Sequence, residues 1–145
     1  MSLTFEKVIV LKNVPLFSNV SEQALADLIT NSEEKLYKAG DIILETEEDT
    51  DVLYIILSGT VHCILGSKVV LEYGPRQVFG ETTVFNKSSF PYKIKAHEKT
   101  VVLKVDKTTL YRTMALYPSL AFSFLGNLSS CLHQERVNEI KKIEK

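Results

Sequence analysis

The sequence predicts an α+β fold in which an antiparallel β-roll of the jelly-roll type (a double-stranded β-helix) follows N-terminal helices and precedes a long C-terminal helix. Short apolar runs separated by turn residues fill the middle of the chain, whereas apolar residues at helical spacing fill both ends. The 145 residues are 45% hydrophobic and 24% charged, which suits one globular domain. We therefore expect a single domain over residues 1–145, with a helical lead-in (1–32), a β-roll (33–105) and C-terminal helices (107–145).

Two short helices are predicted in the lead-in. The first carries Phe5, Val8, Ile9 and Leu11 at helical spacing, and it should end before Pro15, because a proline pushes the preceding residue out of the α region. Ser21 is a suitable N-cap for the second helix, and Glu22 is favourable in its first turn. The apolar face of this second helix is predicted to be Ala24, Leu25, Leu28 and Ile29.

Six strands are predicted in the middle of the chain. They are Ile42–Leu44, Val52–Leu57, Val61–Leu65, Val69–Tyr73, Tyr92–Ala96 and Val101–Val105. Ser58-Gly59 and Gly66-Ser67 are predicted as hairpin turns between them. Inward and outward residues alternate clearly from Lys93 to Ala96.

The C-terminal part returns to helical spacing. Leu110, Met114 and Leu116 precede a break at Tyr117-Pro118, and Pro118 is suited to the first turn of the next helix. That helix is predicted to run nearly to Lys145, with an apolar side made by Leu120, Phe124, Leu125, Leu128, Cys131 and Leu132. Charged residues dominate beyond Leu132, so we expect the helix to pack on its own domain first and then to project toward a partner chain or a following domain.

Composition argues against several functional classes. The net charge of −1 provides no attraction to nucleic acid, so no nucleic-acid contact is expected. No apolar run approaches the roughly 18 residues that span a bilayer, and the N-terminus lacks the plan of a signal peptide, so a cytoplasmic chain without membrane insertion is expected.

The chain offers little material for catalysis or metal binding. Cys63 and Cys131 form no CxxC pair and are expected to be reduced, and the three histidines show no metal-binding spacing. There is no nucleophile–base pair and no phosphate loop of the hydrolase type. We therefore expect no metal, no cofactor and no enzymatic activity.

The most informative stretch runs from Phe79 through Phe85 and on to Ala96. Gly80 has no Cβ, so backbone there can come close to a ligand. Glu81 presents a carboxylate suited to accept from a sugar hydroxyl, and the backbone N–H groups from Glu81 to Thr83 would open a short helix and form an anion site. Without a ligand, Glu81 could simply cap that helix start.

Four landmarks follow one another along the chain: Leu16-Phe17 with Ser21–Leu25, Gly40–Ile43, Asp51–Val61 and Phe79-Gly80-Glu81. In this order they resemble the entry helices, the first β turn, the central hairpin and the start of the phosphate-binding cassette (79–96) of the cyclic-nucleotide-binding domain family, which includes catabolite-activator-type regulators, kinase regulatory subunits and gated channels. The resemblance covers nearly the whole chain. It implies a β-roll sensor whose ligand would be cAMP or cGMP, bound near Gly80, Glu81, Thr82, Thr83, Phe90 and Pro91.

The second half of the cassette departs from the family pattern. Ser89 and Phe90 stand where the resemblance implies the proline and the phosphate-binding arginine, and Pro91 and Tyr92 stand where it implies two small residues. Phe90 cannot neutralise a phosphate, and losing such a charge-assisted hydrogen bond costs roughly 1.5–3 kcal/mol, or one to two factors of ten in affinity. Lys87 could substitute as a point charge or be a solvated loop lysine.

Two turns also differ from the family pattern. Glu47-Glu48 stands where the family usually has Gly-Asp, so either the turn differs or Glu47 tolerates strain. Gly74-Pro75-Arg76-Gln77 replaces another turn that is usually richer in glycine.

The resemblance assigns the last helix the roles of lid and dimer seam. Lid residues would lie near Leu128, Cys131, Leu132 and Glu135, and a homodimer would form through the same helix.

Two classes of function follow. The first is a regulatory sensor domain of a larger regulator or transporter-like protein, with weak or absent cAMP and cGMP binding because of Phe90. The second is an interaction module that binds no ligand; the effector domain of a truncated transcription regulator is a further alternative. A pocket lined by Glu81 would favour the sensor, and a pocket plugged by Phe90 or Tyr92 would favour the scaffold.

Overall fold

The computed structural model describes residues 4–47, 50–85 and 91–143 and confirms the predicted fold class. Its helices are Thr4–Lys12 (α1), Glu22–Thr30 (α2), Glu81–Phe85 (α3), Lys107–Leu116 (α4) and Pro118–Ile143 (α5), with a 3-10 turn at Pro15–Phe17. Its strands are Glu33–Tyr37 (β1), Ile42–Leu44 (β2), Val52–Ser58 (β3), Val61–Leu65 (β4), Lys68–Tyr73 (β5), Val78–Phe79 (β6), Lys93–Ala96 (β7) and Thr100–Asp106 (β8).

The strands form two four-stranded antiparallel sheets. The first sheet has the order β1-β8-β3-β6, and the second has the order β2-β7-β4-β5. One core lies between the first sheet and the helices and includes Leu53, Ile55, Leu103 and Val105. The other core lies between the two sheets and includes Tyr54, Ile56, Cys63, Phe79, Ile94 and Val102. The first sheet is therefore buried on both faces, which explains the unbroken apolar run of β3.

The lead-in follows the prediction. Ser21 is extended and its Oγ accepts from the backbone N–H of Ala24 at 3.2 Å, while the predicted face of α2 is buried. In α1, however, Phe5 and Ile9 are 72% and 49% exposed. The predicted helix is confirmed, and it packs along one narrow line through Val8 and Leu11.

One of the two predicted hairpin turns is confirmed. Gly66-Ser67 joins β4 to β5, with Leu65 paired to Lys68. Ser58-Gly59 is not a hairpin turn, because β3 and β4 belong to different sheets; the predicted central hairpin is therefore wrong at this point. The chain turns from one sheet to the other here, and Gly59 has φ +94° with Thr100 packed where its side chain would be.

The sequence patterns did not predict β1 and β6 as strands. β1 carries Glu33, Glu34 and Lys35 and lies at the edge of the first sheet, where it pairs only with β8. β6 has two residues and pairs with the middle of β3. Neither segment shows the apolar alternation on which strand prediction depends.

The long last helix packs on the domain only near its start. Pro118 opens α5 as predicted, and Leu120, Ser123 and Phe124 are buried. The predicted apolar side does not continue inward, since Leu125 and Leu132 are 63% and 49% exposed. The helix therefore projects from the domain, as the thinning apolar pattern indicated. Within the described ranges, no helix is both long and apolar enough to cross a membrane.

Candidate ligand site

Gly80 lies where the backbone of two strands meets. It has φ +92°, and a Cβ at this position would collide with the backbone carbonyl oxygen of Val52 in β3. The sequence indicated that this glycine allows close approach of a ligand. The structure provides a second reason, because the fold itself requires glycine here.

The short helix α3 begins directly after this glycine. The carbonyl oxygen of Gly80 accepts both from the backbone N–H of Val84 and from the hydroxyl of Thr83, each at 3.0 Å. Because Thr83 is only 3% exposed, its hydroxyl contributes to the start of α3 through this hydrogen bond. The backbone of Thr82 belongs to α3, but its side chain lies outside the described structure.

Glu81, the first residue of α3, is partly buried at the edge of the roll. Burial raises the pKa of its carboxyl group above the ordinary value, and its own backbone N–H offsets part of this effect. The same carboxylate affects two groups on the second sheet. Burial, and then the charge of Glu81, raise the pKa of the Cys63 thiol to about 11. Burial, followed by Cys63, Glu81 and Tyr92, raises the pKa of Tyr73 to about 12.

Glu81, Cys63, Tyr73 and Tyr92 therefore form one group, here called the glutamate cluster. Glu81 was predicted from the sequence as a site residue, whereas its neighbours Cys63 and Tyr73 were not. The alternation of buried residues along β4 is the signal that could have found Cys63, and Tyr73 lies opposite Val61 on the same face of the sheet.

The interior beside the glutamate cluster is aromatic. The ring of Phe79 stacks on Tyr54 with centroids 4.7 Å apart and on Tyr73 with centroids 6.2 Å apart. Tyr54 and Phe79 are almost fully buried. This stack fills part of the space between the sheets and forms a flat apolar wall.

An uncovered apolar strip lies beside the same cluster. Leu71 is opposite Cys63, and Leu65 follows Cys63 by two residues, so both share its inward face. Yet Leu65 and Leu71 are 53% and 46% exposed. The inner face of the second sheet is thus open at this end, and an apolar planar group could lie against it.

The second half of the predicted cassette is described only in part. Lys87, Ser89 and Phe90 lie outside the described residues, so their predicted relation to a phosphate stays a prediction. Pro91 is exposed, and Tyr92 is half-buried against the core between the sheets.

Both unusual turns contain a residue with positive φ. Glu47 has φ +59°, which confirms the expectation that it tolerates strain, and Glu48 lies outside the described residues. Arg76 has φ +70°, and its backbone N–H donates to Ile56 at 2.9 Å.

The end of α3 contacts both C-terminal helices. The hydroxyl of Tyr111 in α4 donates to the carbonyl oxygen of Val84 at 3.1 Å. The ring of Phe85 stacks on Tyr111 at 6.1 Å and meets Phe124 of α5 edge-on at 5.7 Å. The end of α3 is therefore in direct contact with both α4 and α5.

The predicted lid residues are spread along α5. Leu128 lines an apolar cleft of about 350 Å³ with Phe85 and Leu125. Cys131 lines another cleft, beside Tyr73 and Arg76. Leu132 and Glu135 are exposed on the projecting part of the helix, and the lid role of all four residues stays a prediction.

The structure also brings together two histidines that the sequence did not connect. The rings of His62 and His97 stack with centroids 4.1 Å apart. Within residues 4–47, 50–85 and 91–143, no group of three or more histidine, cysteine, aspartate or glutamate side chains could hold a metal ion.

Comparison with known proteins gives a consistent result at the family level. The family model of the cyclic nucleotide-binding domain matches residues 34–117. The potassium channel GORK of Arabidopsis thaliana is 24% identical over 139 residues, covering 92% of this chain and 17% of the channel. A cAMP-dependent protein kinase regulatory subunit of Eremothecium gossypii is 29% identical over 99 residues, covering 68% of this chain and 22% of that protein. The chain thus spans about a fifth of the curated relatives it matches.

Solved structures share the fold. The N-terminal domain of a transcriptional regulator from Streptomyces coelicolor superposes with a TM-score of 0.79 at 21% identity, covering 89% of this chain and 93% of that one. The sensor domain of the transcriptional regulator DNR from Pseudomonas aeruginosa gives 0.76 at 22% identity, covering 94% and 96%. The regulatory domain of Toxoplasma gondii PKA with cAMP gives 0.72 at 19% identity, covering 88% and 49%.

Proposed function

Because the chain belongs to the cyclic nucleotide-binding domain family, we propose that it is the ligand-sensing part of a larger regulatory or transporter-like protein. We further propose that its binding of cAMP and cGMP is weak or absent. The ligand would lie between Glu81 and the open inner face of β4 and β5. The observation that carries this proposal is the position of Glu81, half-buried at the start of α3 and beside the uncovered strip of Leu65 and Leu71.

The chemistry of this site favours an uncharged or weakly charged ligand. The carboxylate of Glu81 can accept from hydroxyl groups, and the apolar strip can hold a planar ring. A phosphate would need a cation, and Phe90 occupies the sequence position at which the family has arginine. A buried phosphate without that partner would lose at least the charge-assisted hydrogen bond.

The signal would pass from α3 to the last helix. Phe85 at the end of α3 packs on Phe124 of α5, so a ligand that shifts α3 changes the packing of α5. Ligand binding would then favour one position of the projecting helix over another, which is a population shift. This role involves no bond-making step, and we propose that the domain is not an enzyme and works in the cytoplasm.

One observation favours the second class of function. The stack of Tyr54, Phe79 and Tyr73 fills part of the roll interior, as expected for a scaffold that binds no ligand. In that case the domain would function through contacts of its surface with a partner, and above all through the projecting α5. The effector domain of a transcription regulator is compatible with either class.

Calorimetric titration distinguishes these proposals. Wild-type protein should bind cAMP and cGMP no tighter than the millimolar range. Adenosine should bind about as well as cAMP, because the phosphate adds little to the affinity. Micromolar binding of cAMP would overturn the proposed weakness. Binding of none of the three compounds would favour the scaffold.

The Phe90→Arg variant tests the position assigned to Phe90. It should bind cAMP about 10- to 100-fold more tightly than wild type, which corresponds to one restored charge-assisted pair. Phe122→Arg, on an exposed part of α5, is the matched control and should change nothing. A Phe90→Arg variant that folds but gains no affinity would show that Phe90 is not at the phosphate position.

A further inference from the structure

A small cleft lies where the turn between β5 and β6 meets the lead-in and the last helix. Its volume is about 240 Å³, so it suits a ligand smaller than a drug-sized molecule. The lead-in contributes Val14 and Leu16, the turn contributes Arg76 and Gln77, and α5 contributes Asn127 and Cys131. Tyr73 also lines the cleft but Glu81 does not, so a ligand bound here goes beyond the proposed function.

Arg76 is held on a rigid turn at the wall of this cleft. Its backbone N–H donates to the carbonyl oxygen of Ile56 at 2.9 Å, and the N–H of Ile56 donates to the carbonyl oxygen of Gln77 at 3.0 Å. The backbone N–H of Gly74 donates to Gln77 Oε1 at 2.7 Å. Because these hydrogen bonds fix the backbone, the Arg76 side chain extends from a defined position, as a preorganised binding group does.

The backbone conformation of Arg76 indicates that its side chain has a role. Its φ is +70°, a conformation that glycine adopts at little cost and arginine does not. Stability alone would therefore favour glycine at this position. Strained backbone of this kind is typical of functional sites, where the side chain is needed in spite of the strain.

The polar groups of the cleft suit an anion. Within the described part of the chain, Arg76 is the one charged residue that lines the cleft, so the lining carries a formal charge of +1. No described carboxylate lies within ion-pair distance of its guanidinium. Gln77 uses its Oε1 in the turn, which leaves its amide nitrogen as a donor, and the half-buried Asn127 adds a second amide.

We propose that this cleft binds a small organic carboxylate, namely one carboxylate group on a short apolar chain. The carboxylate pairs with the planar guanidinium of Arg76 through two N–H groups. The apolar chain lies on Val14, Leu16 and Val78. One negative charge matches the charge of the lining, whereas an ammonium group would meet the guanidinium and be repelled.

Hexanoate and its analogues test this proposal. By calorimetry, hexanoate should bind in the millimolar range or tighter. Hexanamide lacks the charge and 6-aminohexanoate adds an ammonium group, so each should bind about tenfold more weakly or worse. Hexanoate should also slow the alkylation of Cys131 by iodoacetamide, because this exposed thiol lines the cleft and a bound ligand would cover it.

Two matched variants locate the binding group. Arg76→Gln should weaken hexanoate binding about tenfold, as expected for loss of one charge-assisted pair. Arg112→Gln removes the same charge from an exposed site on α4 and should leave the affinity unchanged. Arg76→Gly should lose binding as well while remaining folded, because glycine suits φ +70°, so the test does not depend on the folding of Arg76→Gln.

Four results would overturn the proposal. They are no heat with hexanoate at millimolar concentration, equal binding of hexanamide, unchanged affinity in both Arg76 variants, and unchanged alkylation of Cys131 when hexanoate is bound. Inorganic phosphate that binds as tightly as hexanoate would show a site for bare anions and would also contradict it. None of these results depends on Glu81, so the proposed function is tested separately by the titrations with cAMP, cGMP and adenosine.

Discussion

The ring of Phe124 meets the ring of Phe85 edge-on, with centroids 5.7 Å apart and planes at 84°. Phe124 also packs on Phe17, at 5.4 Å. Beside it, Ser123 Oγ donates to the carbonyl oxygen of Leu16 at 2.7 Å. One turn of α5 thus joins the helix that carries Glu81 to the N-terminal part of the chain, while the rest of α5 extends away.

Replacing Phe124 by alanine should reduce the free energy of unfolding by about 3–5 kcal/mol, because a ring that is only 2% exposed would leave a cavity between three elements. Phe122→Ala is the matched control. Its ring is 69% exposed, and the change should stay within about 0.5 kcal/mol. Urea denaturation measures both variants, and equal stabilities would contradict the central position of Phe124.

Gly80→Ala should destabilise the domain by about 1–3 kcal/mol or more. The backbone of alanine is strained at φ +92°, and its methyl group would clash with the carbonyl oxygen of Val52. Gly126→Ala should do the opposite. Gly126 is an exposed helical residue with open space around it, so alanine should stabilise α5 by about 0.5–1 kcal/mol. Thermal melts of the two variants should move in opposite directions, and a neutral Gly80→Ala would refute the close approach of β3.

Alkylation should distinguish the two cysteines. Cys131 is exposed, whereas Cys63 is buried and its thiol pKa is raised to about 11. Since the thiolate is the reactive form, iodoacetamide at pH 8 should modify Cys131 first and leave Cys63 unmodified in the folded protein. Peptide mass spectrometry measures both sites. Modification of both residues at the same rate would show that the glutamate cluster is open to solvent.

Glu81→Gln should stabilise the protein at neutral pH. Burial raises the pKa of Glu81 in the folded state, so its contribution to stability is fully present below the unfolded pKa and is lost as pH rises through the folded pKa. The variant should therefore match wild type in acid and exceed its melting temperature at pH 7. Glu98→Gln, at an exposed site, should show no such pH-dependent difference. A Glu81→Gln variant that is less stable at pH 7 would indicate that the carboxylate has a charged partner.

Truncation after Leu132 tests the predicted role of α5 as a dimer seam. The removed residues 133–143 are exposed except for the half-buried Val137, so the shortened domain should fold. If α5 joins two copies, the truncated protein should self-associate more weakly than the full chain in sedimentation equilibrium. Unchanged association would place any dimer contact elsewhere.

Much of the fold was predictable because local chemistry decides it. Ser21 caps α2 and Pro118 opens α5, and both effects act within one helical turn. The prediction of Ser58-Gly59 as a hairpin turn was wrong because contacts distant in sequence decide this part of the fold. A glycine turn between two apolar strands has the same local pattern whether the strands pair with each other or enter different sheets, and only the partners β7 and β8 decide.

The candidate site was predictable to a smaller extent. Glu81 follows a glycine at the start of a helix and can be recognised from neighbouring residues. Cys63 and Tyr73 approach it from a different sheet, and the alternation of residues along β4 alone does not say which glutamate they face. In α1 the helical spacing predicted the helix, but it does not say how many of the apolar residues pack against another element, and Phe5 and Ile9 are exposed.

The contact between Gly80 and the carbonyl of Val52 has a consequence for how such domains are recognised. A glycine that the scaffold needs would persist in descendants that no longer respond to any messenger. Gly80 is therefore a signature of architecture, whereas Glu81 beside it is not. Whether a domain of this kind still senses anything must be judged from the residues that the scaffold could lose without cost.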